Sequence, residues 1–590
     1  MEKEGNNFLF KEFETVSEEN WSLQAQKETG RAELTWKSYE GFPIKPIYSK
    51  PDLENSEKGL FQHNQEKEWL LVDSIEVNDE IEANKLALSS LQGGSNGIHF
   101  HINKASLQID KLLEGIWIDN CLIALSSGYN SLNTVKNFLD YYKNQNLAPD
   151  DLRGWFNFDP LKMWLLTGKK HEGLPEDLEK LFQLSSSFPN FRCLTINSHQ
   201  FVNSGVDIIQ EIAFCLATTV EYLEALKSKK FELKTAVGKI LYSLTVSTNF
   251  FLEISKLRAL RVLISKIFKG YDIKISPSEI AIHTQTSYWN KSLLDWENNI
   301  IRNSAEAMAG IIGGANYLTI TDHNQNRNSD RNFTSRVSRN ISHLLKEEAY
   351  LNKVTDPSAG SYYIENLTAQ IAEQSWQLFL ELEKKGGFIQ CVEKGIIPRE
   401  IDKIKAKRVK NFDLRKDHHI GVNIYPNLKE PTLPHFTEGE NLNSLIKQQK
   451  ISQDIEDLRA WVETKFTKTG DRPKLLVLNL KNEQLSKPTQ SFIKNIFTSI
   501  GFLVEFNQDL TGWHQMNVPM GKYDLHLAFI NTDIKENLSP IKEMASVYPV
   551  IVTSSEVLEI EELNNYKPLD QLALHENLKN LLLNLNNRKK

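Results

Sequence analysis

Apolar residues fall along this chain in short runs separated by stretches in which they recur three and four apart. Ile98, Phe100 and Ile102 alternate with polar neighbours, Leu122–Leu125 and Cys193–Ile196 are compact apolar runs, and Ile280–Thr284 and Tyr317–Ile320 extend the series. Short runs of this kind predict strands. Val206–Lys227 and Trp296–Ile312 carry the spacing of amphipathic helices. Strand and helix in alternation predict a parallel β/α architecture. At this length a (β/α)8 TIM barrel is the commonest solution, and periodicity leaves an open doubly wound sheet as the alternative.

The pattern breaks twice. Residues 1–35 are polar, with isolated aromatics at Phe8, Phe10, Phe13 and Trp21, and read as an arm that packs on a partner. At the other end, Pro426, Pro431 and Pro434 interrupt a polar stretch that can continue neither a helix nor a central strand. The expected division is therefore an arm over 1–35, a barrel over 36–425, a linker with a helical stretch over 426–470, and a second domain over 471–590. In that last domain Leu475–Leu480, Phe502–Phe506, Leu525–Ile530 and Val550–Thr553 are strand-like and Ser491–Ser499 is helix-like, which predicts a flavodoxin-type fold.

Composition narrows the function classes. A chain of 590 residues exceeds one compact core, and 40% hydrophobic with 25% charged residues is ordinary for a soluble protein. Lys plus Arg (69) falls short of Asp plus Glu (76), a net charge of −7 that argues against a nucleic-acid partner. Cys121, Cys193, Cys215 and Cys391 are scattered, with no C-x-x-C pair, and read as buried thiols in a reducing cytoplasm. No basic-then-apolar N-terminus and no run near 18 apolar residues is visible, so neither export nor a membrane span is expected.

One stretch is far more specific. H-T-Q-T-S at His283–Ser287, W-E-N-N-I-I-R at Trp296–Arg302 and A-E-A-M-A-G-I-I-G-G-A at Ala305–Ala315 come first. S-R-N-I at Ser338–Ile341, L-L-K-E-E at Leu344–Glu348 and V-T-D-P-S-A-G-S-Y-Y-I-E at Val354–Glu365 follow in order. This series closely resembles the methylmalonyl-CoA mutase family. L-T-W-K-S-Y-E-G at Leu34–Gly41 resembles its small, non-catalytic (beta) subunits in particular, and G-V-N-I-Y at Gly421–Tyr425 continues the likeness. The resemblance implies a barrel that houses an acyl-CoA, followed by a flavodoxin-like domain that holds adenosylcobalamin. Asp356-Pro357 with Gly360, and Gly313-Gly314, are turn and helix-end signals with no chemistry of their own.

The residues that would carry the chemistry depart from the family pattern. The family's cobalt ligand is the His of D-x-H-x-x-G after the first strand of the last domain; here Lys481–Pro488 contains neither His nor Gly. Asp524-Leu525-His526 matches only in part, with Phe529 where Gly is required, and His526 is expected on the less apolar face of a strand. The barrel motif Y-H-M-Q-E-A-G-A, aligned on Gly205, places Gln200 at the position of the His that donates to the thioester carbonyl. His199 then takes the Tyr position, and a one-residue slip would return His199 to the site. An amide can donate a hydrogen bond but is no proton donor near neutral pH. An Arg that precedes H-x-Q-T-S in active members is replaced by Ala281, which removes an anion-pairing guanidinium.

No catalytic residue and no metal ligand is therefore expected, and the degenerate last domain is expected to hold no cofactor. By the resemblance, the partner is a large catalytic mutase subunit carrying adenosylcobalamin, in a heterodimer that interconverts methylmalonyl-CoA and succinyl-CoA. Gln200, His283, Gln285 and Ser287 are the residual barrel-lining candidates for acyl-CoA binding, with satisfied core hydrogen bonds as the alternative for His283 and Gln285. Trp155 and Phe201 are the bulky side chains that could fill the pocket. An acyl-CoA-binding regulatory barrel, or a mutase for another acyl-CoA, are the other functions these residues allow.

Overall fold

The computed structural model describes residues 16–53, 68–104, 106–128, 131–324, 330–430, 443–466, 471–480, 485–507, 520–530, 538–555 and 566–587. Phe8, Phe10, Phe13 and Lys481–Gln484 lie outside these. The described arm is one helix, Glu18–Thr29, started by Ser17, whose hydroxyl accepts from Asn20 N–H, and ended by Gly30 at φ 65°. None of its residues is buried.

The barrel strands are β1 (Leu70–Val77), β2 (Gly97–Ile102), β3 (Leu122–Ser127), β4 (Arg153–Phe156), β5 (Phe191–Arg192), β6 (Leu194–Asn197), β7 (Ile240–Val246), β8 (Ala281–Thr286) and β9 (Tyr317–Thr319). They pair in parallel, each with the next in sequence except β5 with β6, and β9 returns to β1. The two ends of this sheet, β5 and β6, are consecutive pieces of one stave broken at Cys193. That break is bridged by Cys193 N–H donating to Lys239 O (3.0 Å) and Thr195 N–H to Phe158 O (3.2 Å). The result is a nearly closed, TIM-like barrel of eight staves, the closed solution of the two the periodicity allowed.

Alternation sorts the strand residues. Ile98, Phe100, Ile102, Ile123, Leu125, Phe156, Tyr242 and Leu244 face out into the main core, against helices such as Ile208–Ser228 and Phe250–Gly270. Their alternates face the axis. Asp207 starts Ile208–Ser228 by accepting from Gln210 N–H at 2.8 Å, and Ser361 starts Tyr362–Lys384. Gly154 is the one β4 residue that must be glycine. Its φ is +144°, and a Cβ there would lie 1.8 Å from Ile123 O.

The family-like motifs turn out to be structural joints. Arg258 on Phe250–Gly270 pairs with Asp356 (2.7 Å) and Glu365 (2.7 Å), so the D-P-S-A-G-S-Y-Y-I-E loop wraps a guanidinium. Glu306 of A-E-A-M accepts from Ser287 N–H (3.0 Å) and Asn290 Nδ2 (2.6 Å) and pairs with Lys291 (2.7 Å); both charges are fully buried. The buried pair is tolerated because the carboxylate is surrounded by donors.

The smaller sheet comprises β10 (Lys474–Asn479), β11 (Leu503–Asn507), β12 (Leu525–Phe529) and β13 (Val550–Thr553), all parallel, in the order β11-β10-β12-β13. That is the first-to-fourth strand arrangement of flavodoxin-type sheets. The helix Gln453–Phe466 belongs to both bodies. Ile455 packs in the barrel's core, and Leu458, Val462 and Phe466 pack in the smaller one. His575, at the start of the last helix, ties the joint by contacting Asp413 (2.7 Å) and Asp454 (3.3 Å).

Candidate functional site

The barrel axis is where the fold would place a ligand, and it is filled. In the lower part Val72, Leu122, Ala124, Trp155, Leu241 and Ala281 form one apolar layer. Trp155 is 1% exposed. Its indole spans the barrel, with ring centroids 5.1 Å from His283, 5.2 Å from Tyr317 and 5.5 Å from His99. Arg192 closes the layer by donating from Nη1 to Tyr317 OH at 2.9 Å. Ala281, the position of the expected Arg, is one wall of this plug.

Above the plug the inward positions are polar. His199 on the helix His199–Asn203 contacts Thr245 Oγ1 through Nδ1 (2.9 Å) and Ser243 Oγ through Nε2 (2.7 Å). Ser243 Oγ also contacts His283 Nδ1 (2.7 Å), and His283 Nε2 contacts Thr319 Oγ1 (2.9 Å). Thr319 donates its hydroxyl proton to Val72 O (2.8 Å). That last bond sets every proton in the row. Thr319 oxygen must accept from His283 Nε2–H, so His283 Nδ1 accepts from Ser243; Ser243 oxygen then accepts from His199 Nε2–H, and His199 Nδ1 accepts from Thr245. Both imidazoles are neutral in this row. Burial, then the field of His101, pushes His283 down to about 3, and burial followed by the field of His283 holds His199 well below the usual histidine range. His99 is likewise lowered well below that range, by burial first and the field of His101 second.

The four lining candidates do not form one site. His283 is a satisfied core histidine. Gln285 is half-buried and borders a cavity of about 300 Å3 with Asp73, Thr321 and Arg339. Ser287 is buried beside Glu306, its hydroxyl without a hydrogen-bond partner among the described residues. Gln200, on the helix after β6, is half-buried, with its Oε1 in the same state. Phe201 packs outside the staves, against Phe214 and Phe388, so of the two bulky residues Trp155 is the one that fills the axis. His99, His101, Arg192 and Tyr317 escaped the sequence reading. The first two were legible as the polar alternates of Ile98, Phe100 and Ile102.

In the smaller sheet, His526 is fully buried and every residue of β12 is buried. The expected less apolar face does not exist there, because helices cover both sides of the strand. The His526 ring lies between those of Tyr523 (6.1 Å) and Tyr548 (5.2 Å), in the first half of its strand. Ligands of such sheets bind beyond the strands' carboxyl ends. The other described histidine of 471–590 is His575, at the interdomain joint; His514 lies outside the described residues. Among the described residues, no group of three or more His, Cys, Asp or Glu side chains is placed to hold a metal, and no helix is long and apolar enough to cross a membrane.

Residues 94–468 match the sequence model of the family described as methylmalonyl-CoA mutase. The chain is 29% identical over 526 residues to a methylmalonyl-CoA mutase small subunit of Porphyromonas gingivalis, covering 84% of each chain. It is 26% identical to the small subunit of Streptomyces virginiae, covering 72% of this chain and 69% of that one. With the large subunit of the same organism it shares 25% identity, over 69% of this chain and 61% of that one. The model match spans more than half of the chain, and the chain therefore belongs to the methylmalonyl-CoA mutase family, where it aligns with the small subunits.

Proposed function

We propose that this chain is the catalytically silent subunit of a heterodimeric, adenosylcobalamin-dependent methylmalonyl-CoA mutase. A longer homologous subunit would hold the cofactor and interconvert methylmalonyl-CoA and succinyl-CoA. The observation that carries this reading is the plug: Trp155, packed on His283, Tyr317 and His99, occupies the cross-section that a ligand lying along the axis needs. Side chains at that density leave no passage without repacking.

The remaining chemistry agrees. An acid for the thioester carbonyl needs a proton to give, yet His199 and His283 spend their N–H groups on Ser243 and Thr319. Gln200 offers an amide, which donates a hydrogen bond but transfers no proton. A cobalt ligand needs an accessible neutral imidazole near the carboxyl ends of the smaller sheet. His526 is enclosed between two tyrosines, and His575 is held by two carboxylates, so neither fits a corrinoid. That small and large subunits are both described among the relatives supports a two-chain assembly.

The test is to tag the chain, purify it gently from its native cells, and record the co-purifying polypeptide, visible spectrum and mutase activity. A longer partner with a corrinoid spectrum and activity, both lost when the partner is stripped away, is expected. A lone chain that retains a corrinoid through gel filtration and turns over substrate would overturn the reading.

A further inference from the structure

A second cavity, of about 620 Å3, opens at the barrel mouth beyond the carboxyl ends of β3 and β4. This face carries the ligand sites of β/α barrels, and the volume suits a small metabolite. The cavity is separate from the plugged axis. Its walls include Ser126, Ser127 and Asn157 from the strand ends, and Ser131 and Asn133 from the first turn of the helix Ser131–Asn144. Lys162, Lys169 and Lys170 supply ammonium groups.

Among the described residues no carboxylate of the cavity forms an ion pair with Lys162, on which Asp159 acts only through its field. Asp159 is fully engaged: it accepts from Tyr222 OH (2.5 Å) and from the backbone N–H groups of Asn197 (2.9 Å) and Lys162 (3.1 Å). Asp177 is taken by His171 at 3.0 Å, and Lys170 reaches out to Glu393. Lys162 has no hydrogen-bond or ion-pair partner for its ammonium among the described residues, and burial lowers its pKa against the field of Asp159. A half-buried cation lacking an acceptor, at the wall of a cavity, is a site that wants an anion.

We propose that this cavity binds a small phosphate monoester. Its phosphate sits on Lys162, and Lys169 guards the rim. The inference does not rest on the silent-subunit reading, because the cavity lies outside the plug and the binding is read on the full-length chain alone.

Calorimetry of the full-length chain in phosphate-free buffer, with ribose 5-phosphate, ribose and coenzyme A as probes, tests it. Ribose 5-phosphate is expected to bind saturably, at least tenfold more tightly than ribose, and Lys162→Gln is expected to weaken it at least tenfold while Lys234→Gln, at an exposed lysine of the helix Leu233–Ala236 outside the cavity, leaves it unchanged. Competition by coenzyme A would support the same site and assign its phosphate to the coenzyme; absence of competition would support it with a free sugar phosphate as the source. Should Lys162→Gln fail to fold, the wild-type chain is labelled with pyridoxal 5′-phosphate and borohydride. An adduct on Lys162 that ribose 5-phosphate protects is expected. No saturable heat with either phosphate-bearing probe, or labelling spread over surface lysines without protection, would overturn the proposal.

Discussion

The indole of Trp155 faces the imidazole of His283 across the barrel axis, ring centroids 5.1 Å apart and planes inclined by 38°. One side chain from β4 thus reaches the opposite wall and decides what the barrel can admit. Replacing Trp155 with Ala should cost about 3–5 kcal/mol, through lost transfer energy and the cavity left behind. The resulting void is lined by Val72, Leu122, Ala124, Leu241 and Ala281 and by the rings of His99, His283 and Tyr317, a slot with the size of an indole. Indole added to the variant is therefore expected to raise its melting temperature and to leave the wild type unchanged. A variant that melts like the wild type would mean that Trp155 does not fill the axis.

The row from Thr245 to Val72 makes the fold acid-sensitive. His283 is held down to about 3, whereas an unfolded histidine titrates near about 6.5. The unfolded state then binds the extra proton first, so this contribution is fully present above about pH 6.5 and is lost as pH falls from there toward about 3. His283→Gln keeps a hydrogen-bonding side chain and removes the titration. Its urea midpoint should fall less steeply than that of the wild type between pH 6.5 and 4.5, and parallel slopes would refute the assignment.

His575 behaves in the opposite sense. Burial lowers its pKa, but the hydrogen bond and charge of Asp413, with Asp454 behind, outweigh burial and raise it. A raised value favours the protonated imidazolium in the folded state. This stabilisation is fully present below the unfolded value of about 6.5 and disappears as pH rises through the folded one. The stability difference between the wild type and His575→Gln should be largest near pH 6 and shrink toward pH 9. The domain joint is what weakens, so limited proteolysis between the two bodies reads the same change.

Lys291 and Glu306 are both fully buried. Lys291→Met leaves Glu306 without its counter-charge, a loss of about 3–5 kcal/mol. Adding Glu306→Gln removes the orphaned charge while keeping an acceptor for Ser287 N–H. The double variant should recover most of the loss in chemical denaturation, and a double variant as unstable as the single one would show that packing, not charge, is what Lys291 contributes.

The chain's own letters were enough to identify the family and most of the elements. Outward strand positions are apolar because each packs on a helix, so Ile98–Ile102 was legible by its alternation, and Val550–Thr553, buried at every position, by its continuous apolar run. The departures at Gln200 and Ala281 were read from motif spacing, which at Gln200 also allows a one-residue slip to His199. His526 was misjudged because a strand covered on both faces has no polar side for alternation to reveal.

Sequence by itself determined the alternation of strand and helix and the family. Tertiary structure alone decided that the staves close at Cys193, that Trp155 rather than Phe201 crosses the axis, and that His199 and His283 are joined through Ser243. Alternation states that a side chain points inward, but how far it reaches, and which distant strand it meets, depends on the curvature and register of the closed sheet. The same limit hid the cavity at Lys162. An ammonium without an acceptor is a property of what surrounds it in space, and its surroundings come from segments far apart in the chain.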